Sequence, residues 1–359
     1  MRRIVVLAEG SLDFHQAKTA IGVIRYGDDT VVAALDSAHA GRDMSTALGD
    51  ATGFARHVPV VATLTEALAF QPDTLLIGIA PRGGRLPDEW RPTLLAALAA
   101  KLNIVSGLHI FLGDDAELAA AAREHGVTIW DVRLPADEVA TRLRLGTPHR
   151  AGSQVIYLAG TDCNVGKMTA AIEIAREMRR QHLSADFAAT GQTGIMISGR
   201  GIPADRIISD FIAGATEALV LESASRHDWV LVEGQGALAH PAYSAVTLGL
   251  IHGAAPDAQV LCHQANRTHI SGYGTPLATL GEIRRMYETA AGWLKPAPVI
   301  AASVNTSELD EAQAHAALDA VAAELGVPAT DPVRFGAGPI VEALLAWQGA
   351  RPSGQTGGQ

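Results

Sequence analysis

The run Gly160-Thr161-Asp162-Cys163-Asn164-Val165-Gly166-Lys167-Met168-Thr169 carries the plainest chemistry in the chain. It has the G-x-x-x-x-G-K spacing, follows the apolar stretch VIYLA and leads into TAAIEIAREMRR, a helical pattern. A strand, a glycine-bearing loop and a helix start in that order make a phosphate cradle. Glycines let backbone amides curl round an oxyanion, and the helix N-terminus adds unpaired N–H groups and a positive dipole end. Lys167 adds a point charge, at one of only four lysines in the chain. The strict pattern wants Ser or Thr directly after the lysine; Met168 stands there and Thr169 follows. The hydroxyl that reaches Mg²⁺ in such loops is therefore displaced, and Thr169 is a metal ligand only if Mg²⁺ is used. Cys163 sits beside the helix start, where a thiol pKa falls.

Other candidates lie where apolar runs end. Trp229–Val232 runs into Glu233-Gly234-Gln235-Gly236, placing Glu233 to face phosphates and hold Mg²⁺, directly or through water. A solvated strand-end acid is the plainer alternative. Gln192 and Thr193 follow another apolar run and read as substrate contacts or an ordinary turn. Asp210 opens a helix, and a cap is the plainer reading of it. His263 follows the run Gln259–Cys262, and Arg267 could grip a carboxylate or phosphate with two N–H groups; a helix-end surface cluster is the alternative. Asn305 ends the run VIAASV, where it would read a base ring or form a turn. Earlier in the chain, Asp36-Ser37, the arginines Arg82 and Arg85 around Gly83-Gly84, and His109 also end apolar runs. Gly83-Gly84 with the two arginines would suit an anionic group. Residues 8–22 hold no G-x-G-x-x-G, which argues against NAD.

These residues need a scaffold of parallel strands. Short apolar runs alternating with helical stretches predict two α/β domains. The first, residues 1–145, is Rossmann-like, with strands near Ile4–Ala8, Thr30–Leu35, Pro59–Ala62, Thr74–Ile79, Asn103–Ser106 and Thr128–Trp130. Residues 146–153 form a linker. Residues 154–348 form a P-loop NTPase-like parallel-sheet domain, with strands near Val155–Ala159, Asp186–Ala189, Trp229–Val232, Gln259–His263 and Pro298–Val304. Residues 349–359 form a disordered tail. The length of 359 residues fits two cores. With 48% hydrophobic and 18% charged residues the chain is not a disordered one. The net charge of −10 argues against nonspecific nucleic-acid or membrane binding and leaves small-molecule substrates. Two cysteines make no disulfide framework, and the N-terminus is too short in apolar residues for a signal, so a cytoplasmic location is expected. A homo-oligomer is compatible with the apolar composition.

The loop GTDCNVGKMT resembles the P-loop of dethiobiotin synthetase, and LVEGQG resembles the metal-binding element of that family. Over roughly residues 1–345 the chain is similar to the D-glutamate N-acetyltransferase family, formerly of unknown function. The blocks ALDSAHAGR, LLIGIAPRGG, IVSGLHIFL, IWDVR, GTDCNVGKMTA, TGQTGIMI, SDFIAGATE, VEGQG and PVRFG carry that similarity. The resemblance implies an acyltransferase moving acetyl from acetyl-CoA to the amine of D-glutamate in D-amino-acid catabolism; for that transfer Glu233, His263 and Asp210 are the candidate bases, and Arg267, Arg82 and Arg85 the candidate clamps for the substrate's two carboxylates. Two rivals stay open: an ATP- and Mg²⁺-dependent kinase or ligase, and a nucleotide-dependent regulatory protein.

Overall fold

The computed structural model describes the chain except His15, Ala51, residues 80–83 and residues 351–359. Arg82, Gly83 and the end of the tail thus lie outside the described residues. Two compact units emerge: Met1–Leu134 with Gln192–Gly199, and Pro135–Gly191 with Arg200–Gln359.

The first unit contains β1 (Arg3–Leu7), α1 (Lys18–Tyr26), β2 (Thr30–Leu35), α2 (Met44–Leu48), β3 (Val60–Val61), α3 (Leu64–Leu68), β4 (Thr74–Ile77), α4 (Arg91–Ala99), β5 (Asn103–Ser106), α5 (Ala116–His125) and β6 (Ile129–Asp131). The strands form a parallel sheet in the order β3-β2-β1-β4-β5-β6, the doubly wound Rossmann-like arrangement. Near-continuous apolar runs make these strands because both sheet faces are covered. Ile4–Leu7 and Leu75–Ile77 are almost wholly buried. Asp115 caps α5 through the Glu117 and Leu118 amides, and Gly126 ends it in the left-handed conformation.

The second unit opens with α6 (Asp137–Ala140) and continues with β7 (Gln154–Gly160), α7 (Lys167–Arg180) and β8 (Ala185–Ala188). The next helix, α8 (Gln192–Ser198), packs with the first unit. There the Thr193 hydroxyl lies 3.2 Å from that of Thr19. Gly107 has no room for a Cβ, which would stand 2.9 Å from Gln192 Cγ. Gln192 and Thr193 therefore sit in a helix, not in a strand-end loop. The second unit resumes with α9 (Ser209–Arg226), β9 (Trp229–Val232), α10 (Ser244–Ala254), β10 (Ala258–Gln264), α11 (Leu280–Gly292), β11 (Val299–Asn305), α12 (Glu311–Leu325), β12 (Ala329–Thr330) and α13 (Gly338–Gly349). Its parallel sheet runs β12-β11-β10-β7-β9-β8, so β7 is central. Among the described residues no helix is long and apolar enough to cross a membrane.

The segment after α6 has no regular structure, yet it is tied to the second unit. The buried Glu217 carboxylate of α9 accepts the Leu145 amide at 2.8 Å and the Thr147 amide at 2.9 Å. Gly214 on the same helix must be glycine, because a Cβ would stand 1.9 Å from the Arg142 carbonyl oxygen. Small residues also bring α10 onto α9: a Cβ on Gly253 would meet the Ala213 carbonyl oxygen at 2.4 Å.

Candidate functional site

The site begins where β7 ends. All seven residues of β7 are buried, between β10 and β9, so its C-terminal end is held in a fixed place. The backbone then turns through Asn164 (φ 57°) and Gly166 (φ 98°), both left-handed, which curls successive amides toward one point. Gly166 directly precedes the first residue of α7, Lys167. Val165 is buried and pins the loop from below, whereas Asn164 is exposed and Met168 and Thr169 are half-buried. The buried Lys167 Nζ donates to the Asp162 carbonyl oxygen at 2.8 Å. Gly160 makes room for it: a Cβ there would stand 2.7 Å from Lys167 Cδ and 2.8 Å from Nζ. Burial pushes the lysine pKa down, and Asp162 and Glu233 pull it back up.

Glu233 follows β9 directly and is buried. Its Oε2 accepts the Thr190 amide at 2.8 Å and the Gly191 amide at 3.1 Å, and its carbonyl accepts the Thr190 hydroxyl at 2.8 Å. Gly191 lets Gln235 come close, since a Cβ would stand 2.6 Å from Gln235 Nε2. Burial raises the Glu233 pKa from 4.5 to about 7, and the amide bonds and Lys167 only partly oppose it. Lys167 is one of the charges acting on Glu233, and a Cβ on Gly234, the residue after it, would stand 3.2 Å from Lys167 Cδ.

Asp162 is the hub of the loop. Fully buried, it accepts the Cys163 amide on Oδ1 at 2.7 Å, and on Oδ2 both Arg267 Nη1 and the Ser271 amide at 2.7 Å. Arg267 also donates to Gln264 Oε1. Its guanidinium is therefore spent on orienting the loop rather than presented as an open fork. His263 faces the loop too, its Nδ1 3.0 Å from the Thr161 hydroxyl, and burial holds its pKa at about 4. Asp210 is exposed in the first turn of α9, and no side-chain cap forms there. Asn305 uses Oδ1 to accept the Ser307 amide at 3.0 Å, the turn-forming role.

Sequence reasoning missed His240, Tyr243, Tyr273 and Tyr287. The Tyr287 hydroxyl donates to the Gly160 carbonyl at 2.8 Å and accepts the Leu238 amide at 3.3 Å, tying β7 to the loop after β9. His240 is buried with Nε2 4.0 Å from Asp162 Oδ1. A histidine a few residues beyond VEGQG was the available signal. Asp162, Cys163 and His240 each offer one ligand atom within 4.8 Å of the others, which invites a metal reading. The bonding argues against it: His240 Nδ1 accepts the Ala242 amide at 3.1 Å, so the ring proton is on Nε2, and both Asp162 oxygens are engaged. For Mg²⁺ the candidates remain Glu233, whose Oε2 already holds two amides, and Thr169.

In the first unit the acids at the ends of β1 and β2 bind their own loops. Asp36, fully buried, accepts the Gly10 amide at 2.8 Å and pairs with His39; Glu9 accepts the Ser37 amide at 2.8 Å. The position that holds a ribose in dinucleotide folds is thus used internally. His109 is half-buried against Gly84, where a Cβ would stand 2.2 Å from the ring.

The chain is thus a two-unit α/β protein whose second unit carries a P-loop. The family models described as a domain of unknown function, DUF1611, match it as a Rossmann-like domain over residues 37–135 and a P-loop domain over residues 142–341. A D-glutamate N-acetyltransferase from Tritonibacter scottomollicae is 40% identical over 338 residues, 93% of this chain and 96% of that protein. One of the same name from a Pseudoalteromonas species is 38% identical over 284 residues, 79% of this chain and 84% of that protein. A crystal structure of a DUF1611 family protein from Anabaena variabilis ATCC 29413 superposes with a TM-score of 0.87 at 35% identity, over 96% of this chain and 100% of that one. The chain belongs to this family, the DUF1611 proteins that include the D-glutamate N-acetyltransferases, and it is an acyltransferase.

Proposed function

We propose that the chain moves the acetyl group of acetyl-CoA to the amine of D-glutamate, a step of D-amino-acid catabolism in the cytoplasm. The observation that carries this reading is the cradle itself. Left-handed turns at Asn164 and Gly166, the start of α7 and a buried Lys167 resting on a backbone carbonyl form an anion site. The relatives' activity calls for an acyl donor, and coenzyme A brings a diphosphate that such a site would grip. Met168 in place of a metal-binding hydroxyl suits a diphosphate that is held and not cleaved.

Glu233, with a pKa of about 7, is the base among the three candidates matched to neutral pH. His263, at about 4, binds a proton too weakly. Glu233 takes one ammonium proton, the nitrogen lone pair attacks the thioester carbonyl, the carbon–sulfur bond breaks, and the second proton released from the nitrogen goes to the sulfur, so coenzyme A leaves as the thiol. The test is to incubate the protein with D-glutamate and either acetyl-CoA or Mg·ATP, following free thiol and ADP. Thiol release with N-acetyl-D-glutamate is expected; ADP release without thiol would replace this reading with the kinase or ligase.

A further inference from the structure

We propose that Tyr243 and Tyr273 form a stacking subsite for the purine ring of the nucleotide whose phosphates the Gly160–Thr169 loop holds. The inference rests on the coenzyme reading above and names the part of the ligand recognised beside the loop.

Tyrosine is scarce here, with 5 in 359 residues. Tyr157 and Tyr287 are wholly buried, yet Tyr243 is 49% and Tyr273 44% exposed. Both exposed rings converge on His240. The Tyr243 ring lies 4.6 Å from it at 31°, and the Tyr273 ring 5.2 Å away at 88°. His240 in turn stands 4.0 Å from Asp162 inside the phosphate loop.

The backbones of both tyrosines are fixed by the same network. Gly236, at φ 60°, leaves space for Tyr243, whose Cβ would be 2.6 Å from a Cβ placed there. Thr247 closes that turn by donating its hydroxyl to the Gln235 carbonyl at 2.7 Å. Tyr273 belongs to a reverse turn bounded by the His269–Pro276 bridge, in which its amide donates to the Ile270 carbonyl at 3.0 Å. The Ser271 amide of that turn is bonded to Asp162 Oδ2, so the loop aspartate positions the segment that carries Tyr273.

An exposed aromatic face held by its backbone loses little entropy on binding, and every base presents a flat π surface to it. In a nucleotide only the sugar separates phosphate from base, which suits rings placed beside the cradle. The Asn305 Oδ1, the alternative for reading the ring, is committed to the Ser307 amide. The ligand class is a purine nucleotide with at least two phosphates, which the bisphosphate end of coenzyme A satisfies.

The test titrates the full chain with adenosine 3′,5′-bisphosphate and, separately, with inorganic pyrophosphate. Tyr273→Ala and Tyr243→Ala should each weaken the bisphosphate roughly tenfold while leaving pyrophosphate unchanged. Tyr273→Phe, which keeps the ring, should retain parent affinity for both. Alanine variants that bind the bisphosphate like the parent would overturn the subsite while the cradle stands. Equal loss of both probes would also overturn it, since the tyrosines would then only support the loop. A parent protein that binds neither probe would overturn the cradle and the subsite together.

Discussion

Replacing Glu233 by Gln should make the protein more stable at neutral and alkaline pH and, in the proposed mechanism, less active. Burial raises this carboxyl from an ordinary 4.5 to about 7. A carboxyl that binds protons more tightly when folded stabilises the fold fully below pH 4.5. That contribution is lost as pH rises through 7, where the folded chain must carry a buried charge. The difference of about 2.5 in pKa corresponds to about 3 kcal/mol. Glutamine is neutral and its oxygen can still accept from the Thr190 and Gly191 amides, which lie 2.8 and 3.1 Å from Glu233 Oε2. Urea unfolding of parent and variant at pH 4.5, 6, 7 and 8 gives the comparison. The advantage of the variant should be near zero at pH 4.5 and grow to about 3 kcal/mol by pH 8. A gap that stays flat across this range would refute the assignment of a raised pKa to Glu233.

The pH dependence of kcat/KM should show an acidic limb near 7 that Glu233→Gln removes and His263→Ala keeps, because His263 titrates at about 4. Rate profiles of the three proteins decide this. Tyr287→Phe leaves the Gly160 carbonyl without its 2.8 Å donor and should cost about 1–3 kcal/mol in denaturant unfolding, with a higher KM for acetyl-CoA. Gly160→Ala drives a methyl into Lys167 and should weaken acetyl-CoA binding more than it lowers the melting temperature, as read by titration alongside calorimetry. Gly214→Ala collides with the Arg142 carbonyl, so the strapped segment should be released and cut faster near residues 142–150 in limited proteolysis.

The sequence was most legible where one local rule acts alone. Trp229–Val232 stands out as an apolar run between polar neighbours and agrees with the structure residue for residue; TAAIEIAREMRR stands out as a helical pattern, and the helix runs from Lys167 to Arg180. Helix α10 was not legible, because the glycines that let Gly249 and Gly253 press against α9 blur its apolar period. Helix α8 was hidden by Gly191 and Gly194, which read as a turn although Gly194 is buried within the helix. The loop and Glu233 were visible because each follows its strand directly. The roles of Arg267, His240 and Tyr273 depend on loops after β9 and β10 converging on Asp162, and no local spacing encodes that convergence.

In the proposed function Lys167 grips the diphosphate of acetyl-CoA. Calorimetric titration of acetyl-CoA into the parent chain and into Lys167→Ala addresses it most directly. The variant should bind roughly tenfold or more weakly, as expected when a charged hydrogen-bond donor to phosphate is removed. Equal affinity in the two proteins would contradict it.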